Sequence, residues 1–340
     1  MVIRPSIEQF EVNAASDRAA WLALRSQDVT ASVAGALLGV HEYETAYGLW
    51  AAKSGLLPQE EGESGPMRRG RLLEPVAVAL LAEERPTWTV TPGRHYYRDP
   101  EARIGGTPDC FAVDPDRDGF GIVQIKSVES GIFRRKWKQE GGAVEPPLWI
   151  AVQAIVEAYL TGATWACVTP LVVGFGLDLP VIEIPLTSGV IDRLKEVVAE
   201  FWRRVDTKDA PDVDYARDGA LLAQLYGVDD GSTIDLTGWN SGPVLAEEDA
   251  RLAAEIKERT ERRKAIKAEI VDRMGAAAVA TLDGEVFATA KTINRKAYSV
   301  AASSYRDVRI KKGTFNGHSS RRSHSGNGAQ QPADPFGAAF

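Results

Sequence analysis

The stretch GGTPDCFAVDPDRDGFGIVQIKS, residues 105–127, predicts two antiparallel strands joined by a turn rich in Asp and Gly. The first strand carries Asp109, after a Gly-Gly-Thr-Pro turn that lets the backbone approach a ligand closely. The second strand carries Gln124 and Lys126, and residues two apart on a strand point to the same face. Asp109 can face that side from the neighbouring strand. The hairpin therefore predicts a polar site on one face of a β-sheet.

Helix and strand patterns on both sides of this hairpin predict an α/β fold. We expect helices over 16–26, 31–39, 45–55, 67–84, 147–162 and 188–205. We expect strands over 87–92, 102–114, 119–128, 164–174 and 176–186. Ser16 or Asp17 is the predicted N-cap of the first helix, and Thr30 that of the second. This order predicts a central mixed sheet flanked by helices.

The C-terminal part of the chain differs in composition from this core. The predicted organisation is a core over 1–207, a connector over 208–245, a helical arm with closing strands over 246–312, and a disordered tail over 313–340. Within the arm, a charged helix covers 246–275, a hairpin turns at Asp283-Gly284, and a last strand covers 305–312.

The overall composition is that of a soluble globular protein. The 340 residues are 44% hydrophobic and 26% charged, which suffices for a large buried core. No apolar run reaches the ~18 residues of a membrane span, and the N-terminus lacks the layout of a secretory signal. We therefore expect no membrane contact and a cytoplasmic location. Cys110 and Cys167 are predicted to be buried core residues rather than a disulfide framework.

The charge distribution favours a local contact with nucleic acid over a global one. The formal net charge of −7 argues against a protein that coats nucleic acid through an overall positive field. Within FRRKWK, residues 133–138, four basic residues interleave with two aromatic ones: Arg134, Arg135, Lys136 and Lys138 with Phe133 and Trp137. A second basic segment is YRDVRIKK, residues 305–312. This pattern predicts a DNA-contacting track, and its alternative interpretation is a solvated charged face.

A further acidic residue extends the polar site of the hairpin. Glu74 lies on the predicted helix 67–84, offset from its apolar stripe. The predicted stripe consists of Leu72, Val76, Ala79 and Leu80. Phosphodiester cleavage uses such a set, because oxygen ligands hold Mg²⁺, which lowers the pKa of an attacking water, while a lysine orients or deprotonates that water. The pattern therefore predicts a metal-dependent nuclease site.

Five motifs occur in order between about residues 15 and 205: WLALRSQDVTASVAGALLG, RRGRLLEPVAVALL, GGTPDCF, IVQIKS and WIAVQAIVEAYLTGATWACVTPLV. Together they resemble the phage lambda exonuclease and YqaJ-type viral recombinase family, within the PD-(D/E)XK nuclease superfamily. The resemblance implies a restriction-endonuclease-like core and a 5′-to-3′ exonuclease on double-stranded DNA ends, dependent on Mg²⁺ or Mn²⁺, in phage-type homologous recombination. It also implies a ring-shaped homotrimer, a single-strand annealing protein as partner, and the host cell cytoplasm.

The resemblance implies a role for two residues of the first motif. Arg25 and Ser32, within R-x-x-x-x-T-A-S, match residues that hold the 5′-phosphate of the DNA. A guanidinium fork and a hydroxyl are suited to that task. In the alternative interpretation, Arg25 ends one helix and Ser32 belongs to the first turn of the next.

The other motifs supply the implied catalytic centre. Glu74 and Asp109 match the metal-binding acids of the family, and Lys126 matches its catalytic lysine. Gln153 matches a glutamine that lies near the active site on the following helix, and its alternative role is that of a buried helix amide satisfying backbone groups. Gln124 would be the third metal ligand through its carbonyl, although the family pattern has Glu, or sometimes Asp, at this position.

Three interpretations of Gln124 remain open. Since the amide lacks the negative charge that offsets desolvation of a dication, metal affinity should fall. In the first interpretation, Glu74 and Asp109 hold the metal with help from a displaced carboxylate, for which Glu157 and Glu129 are the candidates. In the second, a glutamate has been replaced to trap a nuclease on DNA. In the third, the chain is a catalytically inactive nuclease-fold DNA-binding or recombination scaffold protein. A structure-specific endonuclease is a further alternative to the exonuclease.

Overall fold

A computed structural model describes residues 11–13, 18–57, 64–297, 299, 302 and 305–310. The N-cap predicted at Ser16 or Asp17 and the disordered tail predicted over 313–340 lie outside these residues. The described residues form two compact units, which divide between Leu225 and Tyr226. None of the helices in these ranges combines the length and hydropathy needed to cross a membrane.

In the part of the first unit that the structure describes, ten strands form two sheets. They are β1 (Glu11–Asn13), β2 (Val29–Thr30), β3 (Thr89–Pro92), β4 (Tyr96–Asp99), β5 (Ile104–Gly106), β6 (Cys110–Val113), β7 (Gly121–Glu129), β8 (Trp165–Val173), β9 (Leu177–Asp178) and β10 (Ile182–Ile184). The larger sheet has the order β10-β8-β7-β6-β3, with β9 also paired to β8, and the smaller one has the order β1-β4-β5-β2.

The predicted hairpin is confirmed as β6 and β7 at the centre of the larger sheet. They pair antiparallel, with Cys110 opposite Val123 and Phe111 opposite Ile122. On its other side, β7 runs parallel to β8 over its whole length. The predicted α/β class, with a central mixed sheet flanked by helices, is confirmed.

The helices of the first unit are α1 (Arg18–Gln27), α2 (Ala31–Leu37), α3 (Ala46–Lys53), α4 (Gly65–Glu84), α5 (Ser130–Lys136), α6 (Leu148–Thr161), α7 (Ser188–Thr207) and α8 (Gly219–Leu225). The side chains of β7 alternate between two hydrophobic clusters. Ile122 and Val128 belong to a cluster with buried residues of α6, whereas Val123 and Ile125 belong to one with buried residues of α4. By this alternation, position 124 lies on the α6 face of the sheet.

Two segments predicted as single strands are each divided. The strand predicted over 102–114 is wrong, because β5 belongs to the smaller sheet and β6 to the larger. The chain crosses between them at Thr107-Pro108-Asp109, where Pro108 has no N–H to donate to a ladder. The strand predicted over 176–186 is likewise interrupted by Pro180, between β9 and β10. Strand β4 was not predicted.

The predicted apolar stripe of α4 is also wrong. Leu72 and Val76 are largely exposed, and Ala79 is exposed as well. The face that packs on the sheet is instead formed by Leu73, Ala77, Leu80 and Leu81. The i, i+4 spacing is retained, but the stripe is displaced by one residue, which is a rotation of about 100°.

A buried ion pair fixes the smaller sheet. Asp28, which is fully buried, accepts hydrogen bonds from Arg98 Nη2 at 2.8 Å and from Arg98 Nε at 3.1 Å. The hydroxyl of Tyr96 donates to the same carboxylate at 3.0 Å. Both partners lie on β4, and Asp28 immediately precedes β2, so this bidentate contact holds the strands together around β5.

The predicted connector is partly a component of the first unit. Arg217 Nη2 donates to the carbonyl oxygen of His41 at 2.6 Å. The buried Asp218 accepts from Thr45 Oγ1 at 2.6 Å. Helix α8 follows, with Leu221, Leu222 and Leu225 packed against the core. The first unit therefore extends beyond residue 207.

The described part of the second unit contains the long helix α9 (Ser241–Met274) and a hairpin of β11 (Val279–Leu282) and β12 (Glu285–Thr289). The hairpin turns at Asp283 and Gly284, both with positive φ, as predicted. The strand predicted over 305–312 is wrong for the described part, since residues 305–310 form no strand.

Candidate active site

Gln124 and Asp109 form a direct contact in the interior of the first unit. Gln124 is 1% exposed, and its Nε2 donates a hydrogen bond to Asp109 Oδ2. The backbone N–H of Ile125 donates to the same oxygen at 2.8 Å. Gln124 Oε1 is buried and has no hydrogen-bond partner among the described residues. The Gln124 amide thus donates a hydrogen bond to the Asp109 carboxylate. A glutamate at position 124 would instead place a second negative charge beside Asp109.

Lys126 begins a chain of hydrogen bonds from β7 to α6. Lys126 Nζ donates to Gln153 Oε1 at 2.9 Å, and Gln153 Nε2 donates to Glu157 Oε1 at 2.9 Å. Lys126 Nζ also lies 5.5 Å from the centre of the Trp149 ring, within the range of a cation–π contact. Gln153 thus contacts side chains of the site rather than only satisfying backbone groups.

Glu74 shares the electrostatic environment of this cluster. Burial, followed by the negative charge of Asp109, raises the pKa of the half-buried Glu74 carboxyl to about 7, while Lys126 acts to lower it. The pKa of Asp109 is also raised by burial, against the opposing effects of Lys126 and the Ile125 N–H. The structure therefore places Gln124 in contact with Asp109 and Lys126 in contact with Gln153, and Asp109 and Lys126 both act on the ionisation of Glu74.

We expect Glu74→Gln to raise the thermal stability of the metal-free protein near pH 8 and to leave it unchanged near pH 4. The folded-state pKa of about 7 exceeds the ordinary value of 4.5. The stabilising contribution of the protonated carboxyl is therefore fully present below pH 4.5 and lost as the pH rises through 7. Because Glu74 is only half-buried, solvent screening reduces the effect to ~1 kcal/mol, or about 2–4 °C.

The measurement is thermal melting in EDTA at both pH values. Glu83→Gln, an exposed change on the same helix, serves as the control and should leave the melting temperature unaltered. An equal gain for Glu74→Gln at pH 4 and pH 8 contradicts the assignment of the shift to its carboxyl.

Arg25 and Ser32 lie together in a second polar cluster. Arg25 Nη2 donates to Ser32 Oγ at 3.4 Å and to Thr30 Oγ1 at 3.4 Å, and the two hydroxyls are 3.1 Å apart. Thr30 precedes α2 as predicted, but it makes no side-chain cap bond, because its hydroxyl is turned to this cluster. The Arg25 guanidinium also stacks over Trp21, 4.3 Å from the ring centre.

The sequence did not single out Lys53, although it belongs to this cluster. Its Nζ donates to the carbonyl oxygen of Arg25 at 2.6 Å. Burial, then the positive charge of Arg25, lowers the pKa of Lys53 to about 8. Lys53 ends α3, and no spacing in the sequence connects it to Arg25. Its position follows from the packing of α3 near the end of α1.

The predicted basic track forms part of α5, which begins directly after the strand that carries Lys126. Arg134, Arg135 and Lys136 are exposed. Lys136 forms an ion pair with Glu42 and lies over the Tyr43 ring, so its charge is partly neutralised. Arg134 and Arg135 are the more strongly basic part of this surface.

The oxygen atoms of the predicted ligands are of the kind that bind a divalent cation. Because Gln124 is neutral, these ligands carry one negative charge fewer than three carboxylates would. Within the described ranges, no group of three or more His, Cys, Asp or Glu side chains is arranged to hold a metal ion. The predicted set has two carboxylates, Glu74 and Asp109, and the amide of Gln124. The unpartnered Gln124 Oε1 is a carbonyl oxygen, which Mg²⁺ and Mn²⁺ accept as a ligand.

Comparison with known proteins identifies the part of the chain that carries the site. Residues 20–164 match the YqaJ-like viral recombinase domain. This segment is similar to the YqaJ-like viral recombinase domain. Over 240 residues the chain is 28% identical to the Bacillus subtilis (strain 168) protein YqaJ, described as uncharacterized, which corresponds to 67% of this chain and 70% of that protein. Every predicted site residue, from Arg25 to Gln153, lies inside the segment 20–164 that matches this family.

Solved structures of exonucleases are also similar to the chain, with lower sequence identity than the Bacillus subtilis protein. The alkaline exonuclease LHK-Exo from Laribacter hongkongensis is 20% identical with a TM-score of 0.45, covering 59% of this chain and 97% of that one. A phage related exonuclease from Haemophilus somnus 129PT is 16% identical with a TM-score of 0.40, covering 53% of this chain and 94% of that one.

Proposed function

We propose that the chain is a metal-dependent 5′-to-3′ exonuclease on double-stranded DNA, acting in phage-type homologous recombination. The observation that carries the proposal is the cluster of Asp109, Gln124, Lys126 and Glu74 inside a YqaJ-like domain. Buried carboxylates beside a positioned ammonium are the groups that hydrolysis of a phosphodiester requires.

Each residue of the cluster has a distinct task in this proposal. Glu74, Asp109 and the Gln124 carbonyl would hold Mg²⁺ or Mn²⁺, which when bound lowers the pKa of water and neutralises developing charge on the phosphate. Lys126 orients or deprotonates the attacking water, and Gln153 fixes the Lys126 ammonium through its 2.9 Å hydrogen bond. Since Gln153 acts through Lys126, it is a positioning residue.

Substrate contacts are assigned to the two basic surfaces. Arg25 and Ser32 would hold the 5′-phosphate, since a partly buried guanidinium beside a hydroxyl offers several donors to phosphate oxygens. Arg134, Arg135 and Lys136 would contact the DNA backbone. In the same proposal the part of the core that carries catalysis lies within 1–207 and the arm within 246–312. The protein forms a ring-shaped trimer, and it acts with a single-strand annealing protein.

One observation favours a second candidate function, a DNA-binding scaffold without catalysis. The Gln124 amide donates to Asp109, so in this state a proposed metal ligand is occupied by a neighbouring side chain. A cation must displace that hydrogen bond before Asp109 can act as a ligand. If breaking this hydrogen bond costs more free energy than binding of the cation provides, the chain binds DNA and does not cut it.

Digestion of matched DNA substrates tests the proposal. We expect linear duplex with 5′-phosphates to be degraded with Mg²⁺ and left intact in EDTA, and linear duplex with 5′-hydroxyl ends to be degraded more slowly. Covalently closed circles of the same sequence should survive. Cleavage of the circles indicates an endonuclease instead, and binding of linear duplex without cleavage of any substrate indicates the scaffold.

A further inference from the structure

Tyr43 presents an aromatic ring to solvent beside the hairpin site. It is 73% exposed, and the centre of its ring lies 6.2 Å from that of Trp149 in an edge-to-face arrangement. Trp149 in turn has Lys126 Nζ 5.5 Å from its ring centre. An exposed tyrosine ring is a flat, largely apolar surface that a second planar group can cover. Trp149 therefore connects this surface to the lysine of the proposed catalytic centre.

The turn that carries Tyr43 is ordered by the buried ring of His41. His41 Nδ1 accepts hydrogen bonds from the backbone N–H groups of Tyr43 at 3.1 Å and of Glu44 at 2.9 Å. The ring is therefore the tautomer whose Nε2–H donates to the carbonyl oxygen of Ser32, at 3.1 Å. Its centre also lies 4.7 Å from that of Trp149. Because this turn is held in place before a ligand binds, the entropic cost of binding is reduced.

The charges around the two rings suit a nucleotide. Lys136 Nζ lies 5.7 Å from the centre of the Tyr43 ring, and its ion pair with Glu42 neutralises that carboxylate. Arg134 and Arg135 are exposed on the same helix as Lys136. Aromatic rings among cations bind single-stranded nucleic acid, because bases stack on the rings while the cations contact phosphates. An apolar peptide would leave these cations without a partner, so the surface favours a nucleotide.

We propose that Tyr43, supported at its edge by Trp149, is a stacking surface for the terminal nucleobase of a bound DNA strand, next to the phosphodiester on which Lys126 acts. The inference rests on the proposed function, which brings a DNA end to Lys126. Since every base has a π-face, this contact binds all four bases and adds affinity without sequence preference. Tyr43 is thus a substrate-binding residue that takes no part in proton transfer.

Fluorescence of 2-aminopurine, an adenine analogue that is quenched when it stacks on an aromatic ring, tests the inference without catalysis. The probe is a 5′-phosphorylated linear duplex with one unpaired 2-aminopurine nucleotide at its 5′ end, bound in Ca²⁺. A second duplex carries an abasic nucleotide at that position. Both would be titrated with the unmodified chain, Tyr43→Ala, Tyr43→Phe and Tyr226→Ala. Tyr226 is 57% exposed and belongs to the second unit, so its substitution removes an exposed tyrosine ring outside the unit that carries the site.

We expect quenching on binding to the unmodified chain, Tyr43→Phe and Tyr226→Ala, and loss of quenching with Tyr43→Ala. The unmodified chain should bind the abasic duplex at least about fivefold more weakly than the 2-aminopurine duplex, the lower end of what one base–aromatic stack contributes. Tyr43→Ala should bind both duplexes equally.

Binding of the probe by the unmodified chain without quenching overturns the inference while the proposed function stands. Quenching that persists in Tyr43→Ala does the same, as does loss of quenching in Tyr43→Phe, which keeps the ring. Absence of DNA binding by the unmodified chain removes the inference together with the proposed function.

Discussion

Replacement of Lys126 by alanine is expected to slow digestion of 5′-phosphorylated linear duplex by about 10²- to 10⁴-fold, the usual contribution of a positioned proton-transfer group. The ammonium is fixed by the 2.9 Å hydrogen bond to Gln153 and by its position 5.5 Å from the Trp149 ring centre. No other cation has a hydrogen bond to Gln153 among the described residues. In the proposed function, alanine therefore leaves the attacking water without its orienting group.

Single-turnover digestion with saturating Mg²⁺ measures this effect. Lys208→Ala, at an exposed lysine that follows α7, is the matched control and should keep the full rate. Affinity for linear duplex, measured by fluorescence anisotropy in Ca²⁺, should change less than about threefold in Lys126→Ala. An unchanged digestion rate removes Lys126 from the catalytic centre, and an equal loss in Lys208→Ala shows that the effect is only one of net charge.

The largest expected effect on stability is that of Arg98→Ala. This change leaves the fully buried Asp28 carboxylate without its bidentate cation, with the Tyr96 hydroxyl as the remaining side-chain donor described. Removal of one partner from a buried ion pair lowers the free energy of unfolding by about 3–5 kcal/mol. Urea unfolding followed by tryptophan fluorescence would measure it.

Arg193→Ala is the matched control, because Arg193 pairs with Glu196 at 2.8 Å while both side chains are more than half exposed. Exposed pairs contribute ~0–1 kcal/mol. A loss for Arg98→Ala no larger than that for Arg193→Ala contradicts the role assigned to the Asp28 contact. Since Asp28 lies between Arg25 and Thr30 in the chain, we also expect the Arg25 cluster to be disturbed in Arg98→Ala.

The sequence was sufficient to predict the hairpin and the side chains that share its face. Alternation along β7 is a local property, so Gln124 and Lys126 could be assigned to one face without knowledge of the fold. Asp109 could be assigned to the same site because the strand that follows it pairs antiparallel with the strand of Gln124 and Lys126, through a short loop. Gln153 was found because a resemblance to known motifs, rather than a local pattern, connected it to Lys126.

Other features depend on packing between segments that are distant in the chain, so the local sequence pattern could not predict them. The apolar face of α4 was displaced by one residue because leucine and valine occur on adjacent faces of that helix, and only contact with the sheet selects Leu73 over Leu72. Lys53 reaches Arg25 through packing of α3, and β5 is recognisable only when its partner β4 is known.

The most direct test of the account compares Mg²⁺-dependent digestion of 5′-phosphorylated linear duplex by the chain with Gln124 and by Gln124→Glu, with Lys126→Ala as the blank. The account predicts that the chain with Gln124 degrades the duplex well above the blank. If only Gln124→Glu cuts, the chain with Gln124 is an inactive or trapped form. If neither cuts, the assignment of a nuclease site to this hairpin is contradicted.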